Sequence, residues 1–142
     1  MKNIEKIQKE IINEFALFDN WSDKYEYLIE LGKSVPVVLE KEKTEDNLIK
    51  GCQSRVWLVA GFKDGKVIYR ADSDAIITKG LVGLFLRVFS NQPPREIIGA
   101  DNSFIDKIGF KEHLSQTRAN GLVLMLKQIT LYAIAFNAKE NL

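Results

Sequence analysis

Two runs of alternating apolar residues, 56–62 and 67–71, meet at Lys63-Asp64-Gly65-Lys66, and no other stretch limits the fold so sharply. Asp-Gly tolerates the positive φ angles of a tight hairpin turn, so the runs are expected to pair antiparallel. On both sides the period changes. Ile4, Ile7, Ile11, Ile12, Phe15 and Phe18 recur at helical spacing with polar residues between them. A second helix is expected from Ser22-Asp23 to Gly32, with that glycine as a left-handed cap. Residues 33–46 hold Pro36 and a charged run, which reads as a solvated connection, and 47–50 reads as a short strand added to the hairpin. Asp72-Ser73-Asp74 supplies N-cap chemistry for a helix over 75–89, with Ile76, Ile77, Leu81, Leu84, Phe85 and Val88 facing inward. Gly80 and Gly83 suit close approach by another element. Short helices follow at Pro93-Pro94 and over 103–108, and 114–121 leads into a last long helix with Leu122, Met125, Leu126, Ile129, Tyr132, Ala133 and Phe136 as its apolar stripe. The architecture is α+β: two N-terminal helices, a three-stranded antiparallel sheet, and C-terminal helices packed on one face.

A chain of 142 residues can bury one core without disulfides or metal, so 1–142 is read as a single domain. A net charge of +1 lacks the electrostatic footprint of a nucleic-acid binder. The longest apolar run, 81–86, is far short of a membrane span, and the N-terminal stretch shows no apolar leader core. One cysteine cannot form an internal disulfide, which points to a reducing, cytoplasmic setting.

That cysteine stands in Gly51-Cys52-Gln53-Ser54, between two strand-like segments. Gly51 opens backbone conformations closed to other residues, and Gln53 and Ser54 are too polar for an apolar strand interior. The thiol is therefore expected at a loop tip. Chemistry alone leaves two readings of Cys52 open, an inert buried thiol and a nucleophile. Lys50, Arg55 and Arg118 are the basic residues that would favour its thiolate; a solvated surface charge is the plainer reading of each. His113 is the single histidine, and sequence cannot bring it beside Cys52. A metal site wants three or four ligands, which this pair does not supply, so no metal is expected.

Gly51-Cys52-Gln53-Ser54-Arg55-Val56-Trp57 resembles the SufE family of sulfur-acceptor proteins. Further blocks agree in order and separation: Trp21 and Lys24-Tyr25 with Tyr27 to Gly32, Asp72 to Ile77 with Lys79-Gly80-Leu81, and His113-Leu114-Ser115 with Arg118 and Asn120-Gly121-Leu122. Thr117 departs from the family's more usual serine, and Gln92 from its serine or threonine. The resemblance implies a fold shared with IscU-type scaffolds. It implies an accessory protein of iron–sulfur cluster assembly that accepts persulfide sulfur from a SufS-type cysteine desulfurase and stimulates that enzyme. The sulfur then passes to a SufB-containing scaffold. The pyridoxal phosphate belongs to the desulfurase, and no cofactor is implied for the chain itself. Whether the chain counts as a sulfurtransferase-like enzyme, whether its desulfurase is of the SufS or CsdA type, and whether it is a monomer or homodimer stay open. By motif, Cys52 is the acceptor, Arg118 an arginine associated with sulfur transfer, and Asp74 an acidic position linked to loop mobility and partner response. His113 matches a motif without an assigned step.

The expected chemistry is thiol–persulfide exchange at Cys52, with the turn folded inward at rest, Asp72 to Asp74 bracing it, and the desulfurase drawing it out. Two other classes remain beside it: an IscU-like scaffold and a regulator that activates the desulfurase without carrying sulfur.

Overall fold

Asn3 and Asn20 start the first two helices by accepting hydrogen bonds from the Lys6 and Asp23 backbone N–H groups, at 2.8 and 2.9 Å. They open α1, Ile4–Ala16, and α2, Trp21–Gly32, in a computed structural model that describes residues 3–141. Met1 and Lys2, which begin the stretch read for a leader, and Leu142 lie outside the described residues. Gly32 is not a left-handed cap, because the chain leaves α2 through Lys33 in right-handed geometry. Its job is contact: a Cβ on Gly32 would lie 2.9 Å from the Gly80 nitrogen, so α2 crosses its neighbour backbone to backbone.

Strands β1, Val56–Lys63, and β2, Lys66–Ser73, pair antiparallel with Val56 opposite Ser73 and Lys63 opposite Lys66. Asp64 and Gly65 both take positive φ, 54° and 79°, as the hairpin turn requires. The sheet has two strands, not three. Residues 47–50 make a single bridge, Leu48 to Trp57, because Glu45–Asn47 winds into a 3-10 turn and Gly51, at φ 93°, bends the chain away. The rest of the α+β reading stands.

The charged connection is less free than its composition suggests. Glu42 takes a bidentate bond from Arg70 on β2, both contacts 2.6 Å, and Lys43 lies 3.0 Å from Asp72. Helix α3, Ile76–Phe89, starts at Ala75 without a side-chain cap, since Asp74 is engaged elsewhere. Ile76 is 65% exposed and does not face inward. Short helices α4, Pro94–Ile98, α5, Phe104–Ile108, and α6, Phe110–His113, lead to α7, Gln116–Glu140. Ser115 caps α7, so Asn120 and Gly121 fall within it and do not precede it.

The core lies between one face of the hairpin and the helices, with Leu58, Tyr69, Leu84, Phe85, Phe89 and Ile129 almost fully buried. Tyr69 donates from its hydroxyl to the Ile129 carbonyl at 2.7 Å, locking α7 to the sheet. By length and composition alone α7 is long and apolar enough to cross a membrane, which the scan for apolar runs missed. Its Leu122, Met125, Ile129 and Ala133 are buried against the domain, and most of its other residues are half-buried or exposed.

Candidate functional site

The cysteine turn spans from the Leu48 bridge to the start of β1. At its near end the Ile49 N–H donates to the Val56 carbonyl at 2.8 Å. At its far end Arg55 is held three ways. Its N–H donates to Asp74 Oδ1 at 3.0 Å, and its carbonyl accepts from Ser73 Oγ at 2.8 Å and from the Asp74 N–H at 3.3 Å. Asp74 and Ser73 thus hold the end of the turn, the place where sequence expected them to cap α3. Asp72 works one step further out, between Lys43 at 3.0 Å and Lys79 at 3.3 Å. Burial pushes its carboxyl up, but the two lysines and the Ser73 N–H outweigh that and keep it below the usual range.

Cys52 is half-buried, and its Sγ lies 4.0 Å from the Gly121 carbonyl on α7. Beside it is a cavity of about 20 Å³, walled by Thr78 and Leu81 of α3, by Thr117, Arg118, Gly121 and Met125 of α7, and by the turn. That is room for about one water-sized particle. Burial pushes the Cys52 thiol above its ordinary pKa, with no charge offsetting it. The basic residues therefore do not favour the thiolate in this position: Lys50 pairs with Glu45 at 3.4 Å, and Arg55 and Arg118 are exposed. Arg118 does border the cavity, together with Gln53 and Ser54.

His113 is not among the residues around Cys52. Its ring stacks on Trp21 at 4.0 Å, its Nδ1 lies 3.0 Å from the Gly109 carbonyl, and its own carbonyl accepts from the Tyr25 hydroxyl at 2.5 Å. These contacts join α6 to α2. Sequence reasoning placed Leu81 and Met125 in the core and passed over Thr78, although a threonine in an otherwise apolar face was visible. Among the described residues no three of His, Cys, Asp and Glu converge on a point where a metal could sit. A cavity of about 470 Å³ lies between α1 and the 96–107 segment, and Cys52 does not line it.

Comparison with known proteins bears on the fold and the family. The solution structure of a hypothetical protein from Thermus thermophilus superposes with a TM-score of 0.75 at 19% identity, over 91% of this chain and 94% of that one, a likeness of fold. An uncharacterised SufE-like protein of Rhizobium meliloti (strain 1021) is 42% identical over 125 residues, 84% of this chain and 89% of the relative. A second, from Rhizobium etli, is 42% identical over 125 residues, 84% of each chain. The family model described as "SufE: Fe-S metabolism associated domain" matches residues 9–133, which takes in both helical flanks, the hairpin and the cysteine turn. The chain belongs to the SufE family of proteins of iron–sulfur metabolism.

Proposed function

We propose that the protein is a sulfur carrier, in which Cys52 takes the outer sulfur of a persulfide on a SufS-type cysteine desulfurase and passes it to a SufB-containing scaffold in the cytoplasm. The observation that carries this reading is the cavity at Sγ. It has room for about one added atom, between α3, α7 and the turn.

The exchange balances without an external oxidant or reductant. The Cys52 thiol first loses its proton to solvent. The thiolate attacks the outer sulfur of the donor, an S–S bond forms at Cys52, the donor's S–S bond breaks, and the donor cysteine leaves as thiolate. Because burial raises the Cys52 pKa, the resting position is a poor nucleophile and a good shelter. Uptake therefore takes place with the turn swung outward, and storage with it folded back. Gly51 supplies the backbone freedom, and the desulfurase favours the outward position only by binding it better. Arg118, exposed at the rim, meets the anionic sulfur as it enters, with the several N–H donors of its planar guanidinium.

Incubation with desulfurase and free cysteine, followed by mass spectrometry of the intact chain, should show the mass of one extra sulfur, located on Cys52. Sulfur uptake undiminished in Cys52→Ser would refute the carrier role. Full stimulation of the desulfurase by Cys52→Ala would instead favour an activator that carries nothing.

A further inference from the structure

Three polar residues are buried among the described ones: Gln8, Thr78 and Gln92. Gln8 donates to the Asp101 carbonyl at 2.9 Å, and Gln92 is engaged as well. Thr78 is 6% exposed, and its hydroxyl makes no hydrogen bond to any described residue. A helical threonine ordinarily satisfies itself on the carbonyl four residues back, as Thr130 does on Leu126 at 2.9 Å. Thr78 sits in the first turn of α3, so the residue four back, Asp74, lies outside the helix. The hydroxyl is left without a protein partner but still reaches solvent, and Thr78 walls the cavity at Cys52.

Its place on α3 adds to this. The helix has 14 residues and no side-chain cap, and its first intrahelical bond runs from Lys79 N–H to the Ala75 carbonyl. The N–H groups of Ile76, Ile77 and Thr78 are left without backbone acceptors, at the positive end of the helix. The charged groups nearby are mostly committed: Lys79 to Asp72, Lys50 to Glu45, and Asp74 to the Arg55 N–H. Arg118 alone carries a charge on the cavity wall, and it is exposed. Burying an anion without a donor is costly, and the Thr78 hydroxyl, on the same cavity wall though not bonded to the sulfur in this position, can supply one.

We propose that the Thr78 hydroxyl donates a hydrogen bond to the anionic sulfur on Cys52, as thiolate before loading and as the terminal persulfide sulfur afterwards. The second half rests on the carrier reading; the first does not. A hydroxyl suits a cargo that must leave again, because it holds the anion without adding a charge that would trap it.

Cys52 is the only cysteine, so iodoacetamide reports on it alone. Alkylation rates of the full chain are measured against pH for wild type, Thr78→Val and Thr78→Ser. Thr78→Val keeps the shape and removes the donor. It should raise the midpoint by about 0.5–1 unit, three- to tenfold less thiolate near neutrality, and Thr78→Ser should restore it. Cyanide-labile sulfur on protein loaded with polysulfide should also be lost about threefold faster from Thr78→Val. An unchanged midpoint in Thr78→Val, or an equal shift in Thr78→Ser, overturns the assignment. If Thr78→Val does not fold, as read by circular dichroism, Thr78→Ala against Thr78→Ser gives the same comparison. Wild type that takes up no sulfur from desulfurase or polysulfide sinks the carrier reading, while the midpoints still decide the role of Thr78.

Discussion

Gly51 meets two demands at once. Its φ of 93° is one that side chains rarely adopt, and a Cβ there would lie 2.9 Å from Leu124 Cδ1. The leucine tip can rotate away, but the backbone strain remains, about 1–2 kcal/mol for a residue with a Cβ. Gly51→Ala should therefore spare the core and weaken the inward position of the turn. The expected readout is faster alkylation of Cys52, with stability to denaturant lowered by no more than about 1–2 kcal/mol. Slower or unchanged alkylation would show that Gly51 has no part in closure. Next to it, Asp74 shows how a residue type can be read correctly and its partner missed. An acidic residue just before a helix looks like a cap, but its carboxylate reaches back 19 positions to the Arg55 N–H. Local sequence cannot reveal a partner that only the hairpin register brings close.

At the scale of elements, α7 is the fixed wall against which the turn closes. Gly121 lies inside it, where glycine costs about 1 kcal/mol relative to alanine. A Cβ at that position would sit 3.8 Å from Sγ, an ordinary contact, so alanine fits beside the bare thiol. It would narrow the space for an added sulfur. Gly121→Ala is thus expected to stabilise the fold by about 0.5–1 kcal/mol in chemical denaturation and to reduce persulfide retention on Cys52. Undiminished retention would separate the glycine from storage. The hairpin, α1 and α2 were legible because their signals are local: Asp64-Gly65 fixes a turn, and apolar periodicity fixes a face. The third strand was not, since the four residues 47–50 have strand composition but are bounded by a 3-10 turn and a bend. Ile76 looked inward by periodicity, but as the first residue of α3 it is exposed, while Thr78 in the same turn is the one buried. Cys52 and Arg118 were found at the site by motif, whereas Thr78 needed the packing of α3 to give it meaning.

For the molecule as a whole, stability is layered. The core ties hairpin to helices through apolar contacts, and the 33–47 connection is held on β2 largely by Arg70–Glu42 and Lys43–Asp72. The Arg70 guanidinium, with help from the Leu39 N–H, holds the Glu42 carboxyl at about 2 against an ordinary 4.5. A depressed carboxyl contributes stability that is present above its unfolded pKa and lost as pH falls toward its folded one, here from about 4.5 to about 2. Lys43 lies over the Trp57 ring at 5.2 Å, so Trp57 fluorescence in a Trp21→Phe background should change across that window before far-UV ellipticity does. Glu42→Gln should remove most of that early change, and an unaltered acid profile would show that the connection is held by other means.

The two anchors of the cysteine turn also set a length. Between the Ile49 bond to Val56 and the clamp on Arg55, the free chain covers about 20 Å when fully drawn out. With both ends tied, its tip can travel outward by at most about 10 Å. A tether that short cannot reach down a deep channel, so exchange through this turn requires a donor sulfur that lies within about 10 Å of the contact surface.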